Sequence, residues 1–465
     1  MKIKISIIAL ALAGMWACQP ELNEFTPSKG AADFTTYMSM GNSLTAGYSD
    51  GALYKSGQQN SYATILAKQL ETVGRTGEFK IPFIESEDGV GTRGAALVTK
   101  MVMGYSTDCF GETGLSPVMA NPNATQQELG AALMTPVSAN GPFNNIGVPG
   151  AKVGHLLVPG YGAMNPFYGR FASAASNAIV NEIPGISPTF FSLWIGNNDV
   201  LGYATSGGAA DAITPVDGPP GVGFAASYEA VVQSLEVTAT SGVVANIPNI
   251  TAIPFFTRIP YNVVVLPDQA TADMLNAGYA QYNGAMEQMG LPYRINWAVG
   301  PNPLVIADAT IPVPDAYAAL RMRQMVAGEL ALLSLPQDSL KCGGWGSQKP
   351  IANQFILTLT EKDAILAAVA SYNTIIASVA STHNLALVDM NKYMDQAAST
   401  TGIVMDGVKF TNAFVTGNLF STDGVHITPQ GNAAVANFFI DAINTTYNAS
   451  VPKANVTEYN AVLLP

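Results

Sequence analysis

The amino-acid sequence predicts an α/β protein whose parallel sheet is covered by helices on both faces. Two patterns carry that expectation. Short continuous apolar runs recur along the chain, and each stops at glycine or a polar turn. Between them lie longer stretches with apolar residues at helical spacing. Strands apolar on both faces, alternating with helices, imply a doubly covered parallel sheet. A third observation agrees: residues suited to chemistry follow the ends of the apolar runs, where such sheets bind ligands.

Taken in order, residues 34–40 read as a buried strand ending at Gly41. Within 61–73, Tyr62, Ile65, Leu66, Leu70 and Val73 fall at helical spacing. Residues 190–195 form a second strand that stops at Gly196, and 242–248 a third, after the helical stretch 227–240. Residues 385–389 are a fourth, after the long helical stretch 361–382, and a last helix, 431–447, follows Pro429. Two stretches break the alternation. Residues 85–144 are rich in Gly, Pro, Thr and Asn, and 254–350 hold helical segments near 270–289 and 316–335. Both read as insertions over the strand ends, where loops shape a pocket. A separate second domain in 254–350 is the alternative.

With 465 residues the chain has room for two or three domains or for one enlarged domain. Hydrophobic residues make up 48%, ample for a core. Charged residues make up only 12%, about half the usual share. The net charge of −12 and the lack of a Lys/Arg cluster argue against nucleic acid, whose phosphates demand basic side chains.

The N-terminus reads as a targeting segment. Lys2 and Lys4 precede an apolar run, 5–17, that is shorter than the roughly 20 residues of a membrane-spanning helix. Residues 1–17 are expected to be a signal peptide, and 18–30, polar with Pro20 and Pro27, a tether. Cys18 at the junction resembles the lipidated cysteine of a bacterial lipoprotein. That implies an exported protein held at the outer membrane, on its periplasmic or cell-surface face. An ordinary signal peptide with a chance cysteine is the alternative. No later stretch reads as a membrane span. Cys109 and Cys342 either pair or remain separate thiols. The three histidines, His155, His383 and His426, lack neighbouring ligands at metal-binding spacing, so neither a metal nor a cofactor is expected.

Four segments carry chemistry. Ser43 follows the first strand in Gly41-Asn42-Ser43-Leu44, at the start of a helix, where a backbone N–H can meet an oxyanion. In Asp423-Gly424-Val425-His426 the spacing lets the carboxylate reach one ring nitrogen while the other faces away, as a general base requires. Gly196-Asn197-Asn198-Asp199 offers uncharged amide donors. In Asn145-Ile146-Gly147-Val148-Pro149-Gly150 a glycine lets backbone approach a substrate oxygen. Each segment alone reads by default as a cap or a turn. His155 reads as a loop residue, His383 as a helix-terminal cation, Asp389 as a turn residue, and Trp194 with Phe190 as core.

Together, and in this order, the four segments resemble the blocks of the SGNH (GDSL-type) hydrolase family of lipases and esterases. The resemblance implies a three-layer α/β/α sandwich with a flavodoxin-like parallel sheet, here residues 31–450, with insertions at about 85–144 and 254–350. It implies Ser43 as nucleophile, His426 as general base and Asp423 as its orienting carboxylate. The N–H groups of Ser43 and Gly150 and the Asn198 side chain would hold the oxyanion. Asn42 stands where that family usually has Asp, a change expected to keep the local turn bonds. The function implied is a serine ester hydrolase acting through an acyl-enzyme on a small-molecule or lipid ester. The alternatives are O-deacetylation of an acetylated glycan, and a non-catalytic surface binding protein on the same fold.

Overall fold

The computed structural model describes residues 25–465; the expected signal peptide, Cys18 and most of the tether lie outside the described residues. A five-stranded sheet forms the centre. Its strands are β1 (Tyr37–Gly41), β2 (Asn145–Gly147), β3 (Phe190–Trp194), β4 (Ser241–Ala245) and β5 (Ala386–Val388). Every pairing is parallel, and the spatial order is β2-β1-β3-β4-β5. This is the flavodoxin-like order, and its direction of winding reverses between β1 and β3. Register aligns the carboxyl ends there: Gly41 pairs with Gly147 on one side and Trp194 on the other.

The helices that position the site are α1 (Ser43–Ala46), α2 (Tyr62–Glu71), α3 (Asn198–Thr205), α4 (Phe224–Glu236), α5 (Leu359–Thr382), α6 (Met390–Ala398) and α7 (Pro429–Tyr447). The architecture is three-layered. On one face, α2 and α7 cover the sheet through aromatic contacts: Tyr62 stacks on Phe439 at 4.8 Å and meets Trp194 edge-on at 5.5 Å. Side chains alternate along a strand, so Phe191 and Leu193 of β3 point to the opposite face, which α3, α4 and α5 cover. There Phe224 of α4 stacks on Tyr372 of α5 at 3.9 Å.

Caps explain where several helices begin. Ser61 accepts from the Thr64 N–H, Thr358 and Glu361 form a reciprocal capping box, and Thr428 accepts from the Gly431 N–H ahead of Pro429 at the first turn. By length and apolar composition α5 could cross a membrane, contrary to the sequence reading. It lays Ile365, Val369, Tyr372 and Ile376 into the core, fully or almost fully buried.

Both stretches expected as insertions are largely antiparallel hairpins and short helices. In the first, Met101–Thr107 pairs with Thr113–Met119. Cys109 and Cys342 form a disulfide, so this hairpin is joined to the second insertion, with the ion pair Lys341–Asp108 alongside. The helix expected over 316–335 is absent. A 3₁₀ turn, Asp315–Leu320, gives way to a strand, Met322–Gln324, paired with Val305–Ala307. Burial of charge decides this. Arg323 reaches Asp308 at 2.6 Å and both oxygens of Glu329 at 2.6 and 2.9 Å. The extended backbone puts the guanidinium between two buried carboxylates.

Replacing Arg323 by Ala leaves those two carboxylates buried and unpaired. A loss of about 3–5 kcal/mol is expected, read as a lower urea midpoint.

Candidate active site

The turn carrying Ser43 is shaped by close packing at the end of β1. A Cβ at Gly41 would lie 2.2 Å from Thr45 Oγ1 and 2.4 Å from the Trp194 carbonyl oxygen; one at Gly147 would lie 2.1 Å from the Ala46 nitrogen. Only glycine lets α1 fold back this tightly onto the strand ends. Asn42 caps α1 by accepting from the Leu44 N–H at 3.0 Å, and its Nδ2 donates to Asn197 Oδ1 at 3.3 Å. Asn42 therefore makes the turn bond and ties the Ser43 loop to the loop after β3. Ser43 stands at the first position of α1, with its backbone N–H free of hydrogen-bond partners among the described residues.

Ser43 Oγ lies 2.9 Å from His426 Nε2, and His426 Nδ1 lies 2.7 Å from Asp423 Oδ2. The hydroxyl can pass its proton to Nε2 while Nδ1–H donates to the carboxylate, which fixes the tautomer a general base needs. Tyr48 packs against the imidazole at 4.6 Å between ring centroids. Asp423 Oδ1 accepts from the backbone N–H groups of Val425 and His426, both at 2.8 Å, and from the Ser421 hydroxyl at 3.1 Å. Oδ2 also accepts from the Gly51 N–H at 2.8 Å. Burial pushes the Asp423 carboxyl up, but the His426 ring and the converging N–H donors outweigh it and hold the group well below the usual carboxylate range.

Asn198 begins α3 and faces the cleft with Ser43; its Nδ2 donates to the Ala151 carbonyl at 2.9 Å, leaving its second amide hydrogen for another acceptor. Gly150 has a left-handed φ of +78° and a backbone N–H without a partner among the described residues, but it is exposed and does not line the cleft. Asp199, next in the chain, is fully buried. Its Oδ2 accepts from the Val153 N–H at 3.0 Å, so it braces the 148–154 loop against α3. Burial raises its carboxyl to about 6, against an ordinary 3.8, and the Val153 bond offsets this only in part.

The cleft beside Ser43 and His426 has a volume of about 90 Å³. Its walls are almost wholly apolar: Trp194, Ile250, Met394, Phe410, Leu419 and Phe438 among others. Sequence reasoning did not find this wall, because its residues come from segments scattered along the chain and carry no local signal of a shared cleft. Trp194, expected as core, lines it as well. Of the remaining histidines, His155 lies outside the cleft, where its Nδ1 accepts from the Lys152 N–H and sits 3.0 Å from the Tyr161 hydroxyl. His383 caps α5 and bridges Glu229 and Glu236 of α4, a structural role. Asp389 caps α6.

No protein-family model matches the sequence, and a search of curated proteins returns no significant match. Among solved structures the chain is similar to LAE5, an alpha/beta hydrolase from the metagenome of Lake Arreo, Spain. The identity is 12%, covering 89% of this chain and 97% of that one, with a TM-score of 0.35. It is also similar to a protein described as a GDSL-like lipase from Parabacteroides merdae. There the identity is 11%, covering 90% of this chain and 99% of that one, with a TM-score of 0.31.

The two site carboxylates act on stability in different pH windows. Asp199, with its raised folded-state pKa, costs stability above about pH 6, and the cost fades as pH falls toward 4. Asp423, depressed, contributes stability above about pH 4 that is lost only below it. Between pH 7 and 5 the Asp199 effect therefore acts alone of the two. Asp199→Asn should remove a gain of about 1 kcal/mol that the wild type shows on going from pH 7 to 5, measured by urea unfolding at both values.

Proposed function

We propose that this protein is a serine ester hydrolase whose substrate acyl group occupies the apolar cleft. The observation that carries the proposal is the continuous Ser43–His426–Asp423 hydrogen-bonded chain at the mouth of that cleft. Ser43 Oγ attacks the ester carbonyl as its proton passes to His426 Nε2, and the Asp423 carboxylate stabilises the resulting imidazolium. The negative charge that develops on the carbonyl oxygen meets the Ser43 N–H and the free Asn198 amide hydrogen, with the Gly150 N–H as a third candidate donor. His426 then protonates the departing alkoxide, and water, activated by the same ring, releases the acid from Ser43.

The cleft lining favours an apolar acyl group over the acetylated glycan considered from sequence. Sugars require polar donors and acceptors along the wall, and this wall has almost none. The volume bears on chain length. A dry cavity of about 150 Å³ accommodates benzene, so about 90 Å³ suits a short acyl chain. Met390 and Met394 in the wall are flexible enough to yield to a longer one. Export is part of the same proposal: the Cys109–Cys342 disulfide belongs to an oxidising compartment. Lipidation at Cys18 with anchoring at the outer membrane completes it.

Purified protein lacking residues 1–18 should hydrolyse p-nitrophenyl esters and be labelled by a fluorophosphonate. Ser43→Ala should abolish both, and an equally active Ser43→Ala protein would reject the assigned nucleophile. Asn198→Ala should lower kcat by about 10²–10³-fold. In a chain-length series, activity should peak at short acyl groups, and Met394→Ala, which enlarges the cleft, should move the peak to longer ones.

A further inference from the structure

A second carboxylate lies beside the first, outside the Ser–His–Asp chain. Asp50 Oδ1 accepts from the Thr422 N–H at 3.1 Å and the Thr422 hydroxyl at 2.8 Å; Oδ2 accepts from the Tyr54 hydroxyl at 2.7 Å. The Asp50 backbone N–H donates to Ser421 Oγ at 3.0 Å, and that hydroxyl donates onward to Asp423 Oδ1. The neighbours of Asp50 take part as well: Ser49 Oγ donates to the Ile427 carbonyl at 3.0 Å, and the Gly51 N–H donates to Asp423 Oδ2. Residues 49–51 thus grip both flanks of the turn carrying Asp423 and His426.

Asp50 holds this place at a cost. Its φ of +54° lies in the left-handed region that disfavours a side chain. Burial first, and the nearby Asp423 charge as well, push its carboxyl up, although the Tyr54 and Thr422 bonds pull the other way. A backbone-strained carboxyl group placed beside a second, mostly buried one is unfavourable unless its hydrogen bonds require that place.

We propose that Asp50 is a positioning residue, whose carboxylate locks the 421–426 turn against the nucleophile turn and so holds His426 within reach of Ser43. It touches no reacting atom. Its effect runs through Thr422 and Ser421 to Asp423, and a displacement of about 1 Å at His426 is enough to cost on the order of 10²-fold in rate. This inference rests on the serine-hydrolase proposal above.

The test compares wild type, Asp50→Asn and Thr422→Val on p-nitrophenyl butyrate, with fluorophosphonate inactivation rates and thermal melts alongside. Asp50→Asn should lower kcat by about 10²-fold with KM unchanged within about threefold, and should slow inactivation in proportion. Thr422→Val, which removes only the hydroxyl donor, should give a smaller loss of the same kind. If Asp50→Asn does not fold, Thr422→Val and Tyr54→Phe decide. Variants that melt lower but keep wild-type kcat, or whose KM rises as much as kcat falls, would overturn the assignment. A wild type that neither hydrolyses esters nor labels sinks the hydrolase proposal, and the Asp50 role with it. An active wild type with unaffected variants sinks the Asp50 role alone.

Discussion

The hydrogen bond between Ser43 and His426 joins residues 383 positions apart, and the architecture around it is what makes that closure possible. The entropic cost of bringing two chain segments together grows only with the logarithm of their separation, so the distance in sequence is no obstacle by itself. What must be supplied is a rigid frame and enough local bonds to fix the approach. The sheet supplies the frame, because parallel register puts the ends of β1, β2 and β3 side by side. Helix α7 then packs across the sheet against α2, and the Tyr62 N–H at the start of α2 donates to the Asn432 side chain of α7 at 2.8 Å. The turn that precedes α7 is thereby delivered to the mouth of the cleft.

Beneath Ser43 the protein is polar where the cleft is not. The Tyr37 hydroxyl lies 2.7 Å from Ser192 Oγ, which lies 2.8 Å from Ser39 Oγ, and the Thr45 hydroxyl lies 2.7 Å from that of Tyr62. These hydroxyls are buried between the sheet and α2, and each satisfied pair contributes about 1 kcal/mol while penalising any slip of register. The site therefore has a fixed polar floor and an apolar side wall. In such low-dielectric surroundings an oriented N–H or amide acts more strongly on a developing charge than it would in water.

Two buried aspartates show how donors, more than burial, decide charge. Asp199 is fully buried, and the Asp423 side chain is mostly so. Asp423 collects N–H and O–H donors on both oxygens and faces an imidazole that becomes cationic, so it stays ionised. Asp199 has one backbone donor on Oδ2 and no partner for Oδ1 among the described residues, so it holds its proton more readily. The first must be an anion to orient His426; the second serves as a brace between two loops.

Much of this was legible in the residue order. Continuous apolar runs and helical spacing identified β1, β3, β4, β5 and helices α2, α4, α5 and α7, because the hydrophobic effect writes burial directly into composition. The spacing of Asp423 and His426 anticipated their contact, since three residues of turn are a local constraint. Strand β2 was not seen as a strand: Asn145–Gly147 is too short and too polar to announce itself, and its pairing with β1 alone makes it one. The extended segment around Arg323 was misread as helix because helical spacing cannot reveal a buried ion pair that forms only across a fold. Pairing of Cys109 with Cys342, the apolar cleft and the grip of residues 49–51 on the 421–427 turn were decided by tertiary structure for the same reason. They join segments whose separation in the chain carries no local signal, and only the packed sheet and its covering helices bring them within a few ångströms.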